Sequence, residues 1–277
     1  MNKILICTDL DRTLIPNGQQ PESKSARPCF SQLVSHPEIS LAYVSGRHLA
    51  LIEEAIDAYQ LPVPNFIIAD VGSTIYQHEQ NQWQQWHAWD HEIASDWQSR
   101  SRESLHTLLA AQSDLQLQEE EKQNTHKLSY YLTLDLNHQA IISDIQRLLE
   151  KEKIHANLIW SIDELQNIGL LDILPASANK LHAINFLMAQ NDFDKRHTIF
   201  AGDSGNDLDV LLSPVQSVLV ANADQEVRAA VKNASPNNLF IAKGDFLNMN
   251  GNYSAGILEG VAHYRPELLP LMEGIQT

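Results

Sequence analysis

Cysteine is almost missing from this chain: there are two in 277 residues. That excludes a disulfide framework, the usual support of small secreted domains. Cys7 lies inside an apolar run and reads as a buried thiol, and Cys29 sits in an expected helix with no visible partner. Positive charge is scarce as well. Lys and Arg number 19 against 35 Asp and Glu, a formal net charge of −16. So acidic a chain repels nucleic acid and anionic membranes, and neither is an expected partner. It also repels phosphorylated substrates at long range, so a phosphate ester would need local cations. No apolar run approaches membrane-spanning length and no signal peptide is recognisable, which leads us to expect a reduced, soluble, cytoplasmic protein and a monomer. The twelve histidines show no metal-ligand spacing, which argues against zinc. Charged residues make up only 19% and hydrophobic ones 43%, enough for a large core, so a disordered chain is excluded.

The stretch Lys3 to Thr13, K-I-L-I-C-T-D-L-D-R-T, organises what remains. Ile4 to Cys7 is uninterruptedly apolar, as suits a parallel strand covered on both faces. Asp9 and Asp11 follow at its carboxyl end, where open α/β sheets bind ligands. The pattern then repeats. Leu41 to Val44 is a strand that runs into Ser45-Gly46-Arg47 and a helix from His48 to Tyr59, an anion site by virtue of unpaired N–H groups. Phe66 to Ala69 is a strand ending in Asp70-Val71-Gly72-Ser73. Later come a helix from Ala178 carrying Lys180, a strand from His197 to Ala201 ending in Gly202-Asp203-Ser204-Gly205-Asn206-Asp207, and strands at Val218 to Val220 and Leu239 to Ala242. Asp224 is placed to cap a helix running to Lys232, and Gly256 to Tyr264 is a terminal helix.

Between about Gln77 and Pro175 the character changes. Trp83, Trp86, Trp89 and Trp97 crowd together, and Asp90 to Ala111 reads as one helix. Lys127 to Asp135 alternates with period two, as in a sheet packed on one face. His138 to Glu150 is an amphipathic helix, and Ala156 to Ile159 and Leu170 to Leu174 are strands. The expected architecture is therefore a doubly wound, mostly parallel, Rossmann-like α/β core over residues 1–76 and 176–277. An α+β cap domain over 77–175 is inserted into it.

Four stretches thus share the carboxyl ends of parallel strands or the helix starts beyond them: Asp9 with Asp11, Ser45, Lys180, and Asp203 with Asp207. Singly, each has an ordinary reading as a cap, a turn or a solvated lysine. Together and in this order they suit phosphoryl transfer through an aspartyl phosphate. Attack of one anion on another needs a Lys ammonium and Mg²⁺ to neutralise charge, with a hydroxyl and backbone N–H groups to orient the phosphoryl oxygens. Mg²⁺ takes oxygen ligands and keeps waters, so two or three carboxylates suffice. The second carboxylate can serve as acid and then base.

The chain resembles phosphatases of the haloacid dehalogenase superfamily. Asp9-Leu10-Asp11-Arg12-Thr13 is similar to its D-x-D-x-T motif, Ser45 to the second-motif Ser/Thr, Lys180 to the third-motif Lys, and Gly202 to Asp207 to G-D-S-x-N-D. The resemblance implies that Asp9 is the nucleophile and Asp11 the acid/base. It implies that Ser45, Gly46, Arg47, Lys180 and Asn206 hold the phosphoryl group. Asp9, the Asp11 carbonyl and Asp203 would bind Mg²⁺, with Asp207 acting through water or on Lys180. Val71 to Tyr76, Lys127 to Tyr131, Leu171 to Pro175 and Ser254 to Gly260 resemble the sucrose-phosphate phosphatase branch, which implies sucrose 6-phosphate as substrate and Gly72, Ser73 and Lys127 as further contacts. Thr74 departs from a Glu expected in that branch, and Arg12 is bulkier than the residue often found there. Asn124, His126, Lys127 and Tyr130 could meet sugar hydroxyls or form a solvated face, and the tryptophans could stack on sugar or fill a core. Other readings of the same motifs are a phosphatase for trehalose 6-phosphate or mannosyl phosphoglycerate, a phosphosugar mutase, and a non-catalytic partner of the synthase that makes the substrate.

Overall fold

The structure is a computed structural model and describes residues 3–163, 166–234 and 237–273. The chain forms two compact units, Met1–Gln84 with Lys180–Thr277, and Gln85–Asn179. In the first, β1 (Ile4–Thr8) is followed by α1 (Ala26–Val34), β2 (Ile39–Val44), α2 (Leu49–Tyr59), β3 (Phe66–Ala69), β4 (Thr74–Glu79) and β5 (Gln82–Gln85). The second carries α3 (His87–Ala94), α4 (Arg102–Leu109), β6 (Gln116–Leu117), β7 (Leu128–Leu132), α5 (His138–Lys151), β8 (Ala156–Asp163) and β9 (Ile168–Pro175). The chain then returns to the first unit with α6 (Lys180–Gln190), β10 (Thr198–Gly202), α7 (Leu208–Leu211), β11 (Gln216–Leu219), α8 (Gln225–Ala234), β12 (Leu239–Ile241), α9 (Ser254–Tyr264) and α10 (Leu269–Met272).

The first unit is built on an eight-stranded sheet of order β12-β11-β10-β1-β2-β3-β4-β5. The six strands from β12 to β3 are parallel, and β4 turns back antiparallel to β3. All five residues of β1 are buried, which is why its sequence is a continuous apolar run rather than an alternation. Strand order runs outward from β1 to β3 on one side and from β10 to β12 on the other. The switch point therefore lies between β1 and β10, and Asp9 and Asp203 each stand immediately beyond one of these two strands. On one face α9 lies close on the sheet: a methyl added at Gly260 would come within 2.1 Å of a Val218 methyl. A larger residue would push the helix off β11. Both cysteines are free and buried, and burial raises both thiols above their ordinary pKa, Cys7 the further.

The β4–β5 hairpin was not legible as part of the core. The sequence pattern starts the inserted domain at Gln77, yet β4 and β5 extend the large sheet, and the compact unit runs to Gln84. Gln80 and Asn81 both take the left-handed conformation that a two-residue hairpin turn requires. Trp83 consequently packs against the core, and its indole N–H donates to Glu53 at 3.1 Å.

The inserted unit has a four-stranded antiparallel sheet, β6-β7-β9-β8. Its core gathers Trp97, Leu105 and Leu109 with Ile145 and Leu149 of α5 and the sheet residues Leu128, Tyr130, Leu132, Leu171 and Ile173. The apolar pattern over Asp90 to Ala111 predicts one helix, but the chain forms two. Gln98 and Ser99 adopt left-handed backbone angles that stop the first segment, and Ser101 accepts from the Ser104 N–H to start α4. Trp89 and Trp97 are fully buried, so these two fill a core and offer no platform to a sugar. Both faces of β7 are buried, not one. Ser129 bonds Asp172 at 2.6 Å, and its backbone is held by the Gln123 side chain. No helix among the described residues is long and apolar enough to cross a membrane.

Candidate active site

Asp9 leaves β1 with its N–H donated to Ala201 O at 2.9 Å, which ties the carboxyl ends of β1 and β10 together. Its carboxylate is buried and takes a hydrogen bond from Lys180 Nζ at 3.0 Å. The same ammonium donates to Asp207 Oδ1 at 2.7 Å and Asn206 Oδ1 at 3.1 Å, so all three donors are used. Lys180 opens α6 and is itself buried. Burial disfavours its charge, but Asp207 and Asp9 outweigh that and hold its pKa above the ordinary lysine value. Asp207 is a structural post. Its second oxygen accepts from Asp203 N at 3.0 Å, Ser204 N at 3.1 Å and the Ser204 hydroxyl at 3.2 Å, closing a capping box over the turn. Gly202 makes room for it, since a methyl there would lie 2.6 Å from the Asp207 carboxylate.

Asp9, Asp203 and Asp207 can each bring an oxygen to within 4.8 Å of the others. Burial pushes Asp9 up to about 8; Lys180 opposes this, and Asp207 and Asp203 add to it. Burial and Asp207 push Asp203 up to about 7, against the pull of Arg12. Thr13 donates to Asp203 Oδ1 at 3.1 Å, but Asp203 Oδ2 is buried without a hydrogen-bond partner. An orphan carboxylate oxygen beside two more carboxylates is an all-oxygen donor set short of positive charge, and it fits a hard divalent cation.

Asp11 points elsewhere. Arg47 grips both of its oxygens, Nε at 2.8 Å and Nη2 at 2.7 Å, and Asn17 adds a bond of 2.6 Å. Burial would raise the Asp11 pKa, yet the Arg47 and Asn17 bonds and the Arg47 charge bring it below the usual carboxylate value. Arg47, read from sequence as a phosphate contact, is here the partner of the acid/base candidate. Ser45 is buried, and its hydroxyl accepts from the Arg47 N–H at 3.2 Å. The turn beyond β3 braces it: Val71 N donates to Ser45 O at 3.1 Å and Asp70 N to Arg47 O at 3.0 Å. Asp70, Val71 and Gly72 all have positive φ, an unusual conformation for a β-branched valine. Gly72 and Ser73 thus belong to the brace. A cleft of about 360 Å³ opens above, lined by Asp9, Asp11, Arg12, Gly46, Arg47, Asp203 and Asn206 among others. Lys127 lies in the inserted unit, where its Nζ is 3.8 Å from Asp172. Sequence reasoning missed Asn17, Thr13 and Asn222 as supports. Asn17 sits in a run of turn residues that disguises it.

A doubly wound sheet with a buried lysine–carboxylate set at its switch point is the architecture of haloacid dehalogenase-like hydrolases. The chain is 54% identical over 275 residues to a HAD-like hydrolase of Nitrosococcus oceani, covering 98% of this chain and 74% of that protein. It is 29% identical to sucrose-phosphatase 1 of Nicotiana tabacum over 95% of its own length, and spans 59% of that longer relative. The structure of a Synechocystis sucrose-phosphatase, solved with sucrose and phosphate, shares the fold with a TM-score of 0.71 at 23% identity, covering 95% of this chain and 98% of that one. Residues 2–265 match the sucrose-6F-phosphate phosphohydrolase family, and the chain belongs to it as a HAD-like phosphatase.

Proposed function

We propose that the protein hydrolyses a phosphorylated disaccharide, sucrose 6-phosphate in the first instance, through a phosphorylated Asp9. The observation that carries this is the buried Asp9–Lys180–Asp207 row beside the orphan oxygen of Asp203. Asp9 attacks phosphorus, and the bond to the sugar oxygen breaks as Asp11, which must first be freed from the Arg47 pair and protonated, gives that oxygen a proton. Asp11 then takes a proton from water as it attacks the acyl phosphate, which releases inorganic phosphate and restores Asp9. Lys180 neutralises charge on the phosphoryl group while staying fixed on Asp207, and the Ser45 hydroxyl, held by the Arg47 N–H, orients its oxygens together with the Gly46 amide. Arg47 holds Asp11 in place, and the inserted unit, with Lys127, selects the sugar. Asp9, Asp203 and the Asp11 carbonyl would hold Mg²⁺. That ion supplies charge neutralisation at the phosphoryl oxygens.

Phosphate release from sucrose 6-phosphate, trehalose 6-phosphate, glucose 6-phosphate and mannosyl phosphoglycerate, with and without Mg²⁺, tests the reading. Release is expected for the disaccharide phosphate with Mg²⁺, and Asp9→Asn should abolish it. An active Asp9→Asn variant, or isomerised phosphosugar in place of free phosphate, would refute it. The match to a sucrose-phosphatase family is what favours a disaccharide.

A further inference from the structure

Arg12 is the one polar residue of the D-x-D-x-T stretch left without a role, and its surroundings are built with care. Its φ is 58°, a conformation that costs energy for a residue with a side chain. Both of its backbone polar groups are held by asparagines. Its N–H donates to Asn17 Oδ1 at 2.8 Å, and its carbonyl accepts from Asn222 Nδ2 at 2.6 Å. The side chain therefore leaves the loop in a fixed direction. Its Nε stands 3.4 Å from Asp203 Oδ2, the oxygen that has no hydrogen-bond partner. Its Nη2 reaches Asp224 Oδ1 at 2.5 Å, at the half-exposed rim. One guanidinium is thus shared between an inner carboxylate and an outer one.

Five carboxylates, those of Asp9, Asp11, Asp203, Asp207 and Asp224, face three cations, Arg12, Arg47 and Lys180. With every carboxylate ionised, the formal excess is two negative charges, the complement of one divalent ion. Removing Arg12 raises the excess to three and frees the flank of Asp203.

We propose that Arg12 is a charge gate on the cation position: it shields Asp203 when no ion is bound, and its positive charge sets how tightly a divalent ion is held. Asp224 gives it a second anchor to lean on when the ion arrives, so the exchange needs no rearrangement of the loop. The inference rests on the divalent-cation reading above. By Coulomb's law in a water-like dielectric, a single positive charge about 6 Å from a dication is worth roughly tenfold in its dissociation constant.

Titration calorimetry with MgCl₂ alone, without substrate, tests it on the wild type, Arg12→Asn and Arg12→Lys. Asparagine is chosen because it accepts positive φ readily. If it fails to fold, Arg12→Gly takes its place, since glycine adopts that conformation without strain. The neutral variant should bind Mg²⁺ about tenfold more tightly, and the lysine variant should stay near wild type. Equal or weaker binding by the neutral variant overturns the gate while leaving the cation site standing. So does equal tightening in both variants, because charge would then be irrelevant. A wild type that binds no divalent ion refutes the cation reading itself, and the gate with it.

Discussion

Asp207→Asn is the sharpest perturbation of this site, because the replacement keeps the shape and removes one acceptor. Asp207 uses both oxygens: one faces the Lys180 ammonium at 2.7 Å, the other faces two backbone N–H groups and a hydroxyl. An amide has a single acceptor oxygen. Turned toward the backbone donors, its NH₂ meets Lys180; turned toward Lys180, its NH₂ meets the N–H groups of Asp203 and Ser204. Either way at least one charge-assisted hydrogen bond is lost, about 1.5–3 kcal/mol, and two donors are opposed. Lys180 keeps Asp9 and Asn206, so it is not stranded, and Asp9 and Asp203 escape the repulsion of a third carboxylate. The net loss works out at about 2–4 kcal/mol, at or below the usual cost of breaking a buried ion pair. Urea denaturation should show it as a lower midpoint at unchanged slope. A Lys180 displaced by about 1 Å should also cost roughly 10²-fold in kcat. A variant that loses under about 1 kcal/mol and keeps its turnover would refute the view that Asp207 is the post on which the catalytic lysine stands.

Two further outcomes follow from the same geometry. Asp9 and Asp203 are pushed up to about 8 and about 7, so each loses a proton from the folded state only well above the usual carboxylate range. A carboxyl raised in this way favours folding at low pH. The contribution fades as pH climbs from about 4 through these values, because burial disfavours the ionised carboxylates and, secondarily, they repel one another. Mg²⁺ should therefore raise the melting temperature more at pH 8.5 than at pH 6, and its binding at pH 6 should release protons, seen calorimetrically as a dependence on buffer ionisation enthalpy; no such dependence would contradict the raised values. Gly202→Ala places a methyl 2.6 Å from the Asp207 carboxylate, and should cost about 1–3 kcal/mol in thermal stability together with much of the activity. Wild-type behaviour in both would mean that the turn can relax.

The proposed catalytic set was readable because it is written as short motifs at the ends of apolar runs. Asp9, Lys180 and Asp203 declare themselves by residue type and by chain order. What side chains do once placed was less legible. Arg47 looks like a phosphate ligand in a strand-turn-helix sequence, and only its three-dimensional approach shows that it clamps Asp11 with two bonds. The hairpin of β4 and β5 was hidden because Gln80-Asn81 lacks the glycine that usually marks such a turn. The break between α3 and α4 was hidden for a related reason: Gln98 and Ser99 are not residues whose composition announces a left-handed turn. Crowding left the tryptophans open to two readings, a sugar platform or core packing, and for Trp89 and Trp97 it is the core. Although neighbours in sequence, Trp83 packs against the core of one unit and Trp97 lies in the core of the other.

The pairing of β1 with β10 also shapes how the protein is made. Leu5 lies opposite Thr198 and Cys7 opposite Phe200, so the central seam of the sheet joins residues nearly two hundred positions apart. A ribosome that has released Asp9 must synthesise the whole inserted unit before Lys180, Asp203 and Asp207 exist to receive it. Until then a strand that is buried along its whole length in the finished fold lacks one neighbour, exposed to wrong partners for many seconds at ordinary elongation rates. The inserted unit, whose contacts lie within one continuous stretch, can fold in that interval. The proposed site is thus completed late and all at once, and a chain cut short before Lys180 leaves the Asp9 carboxylate without the ammonium that holds it.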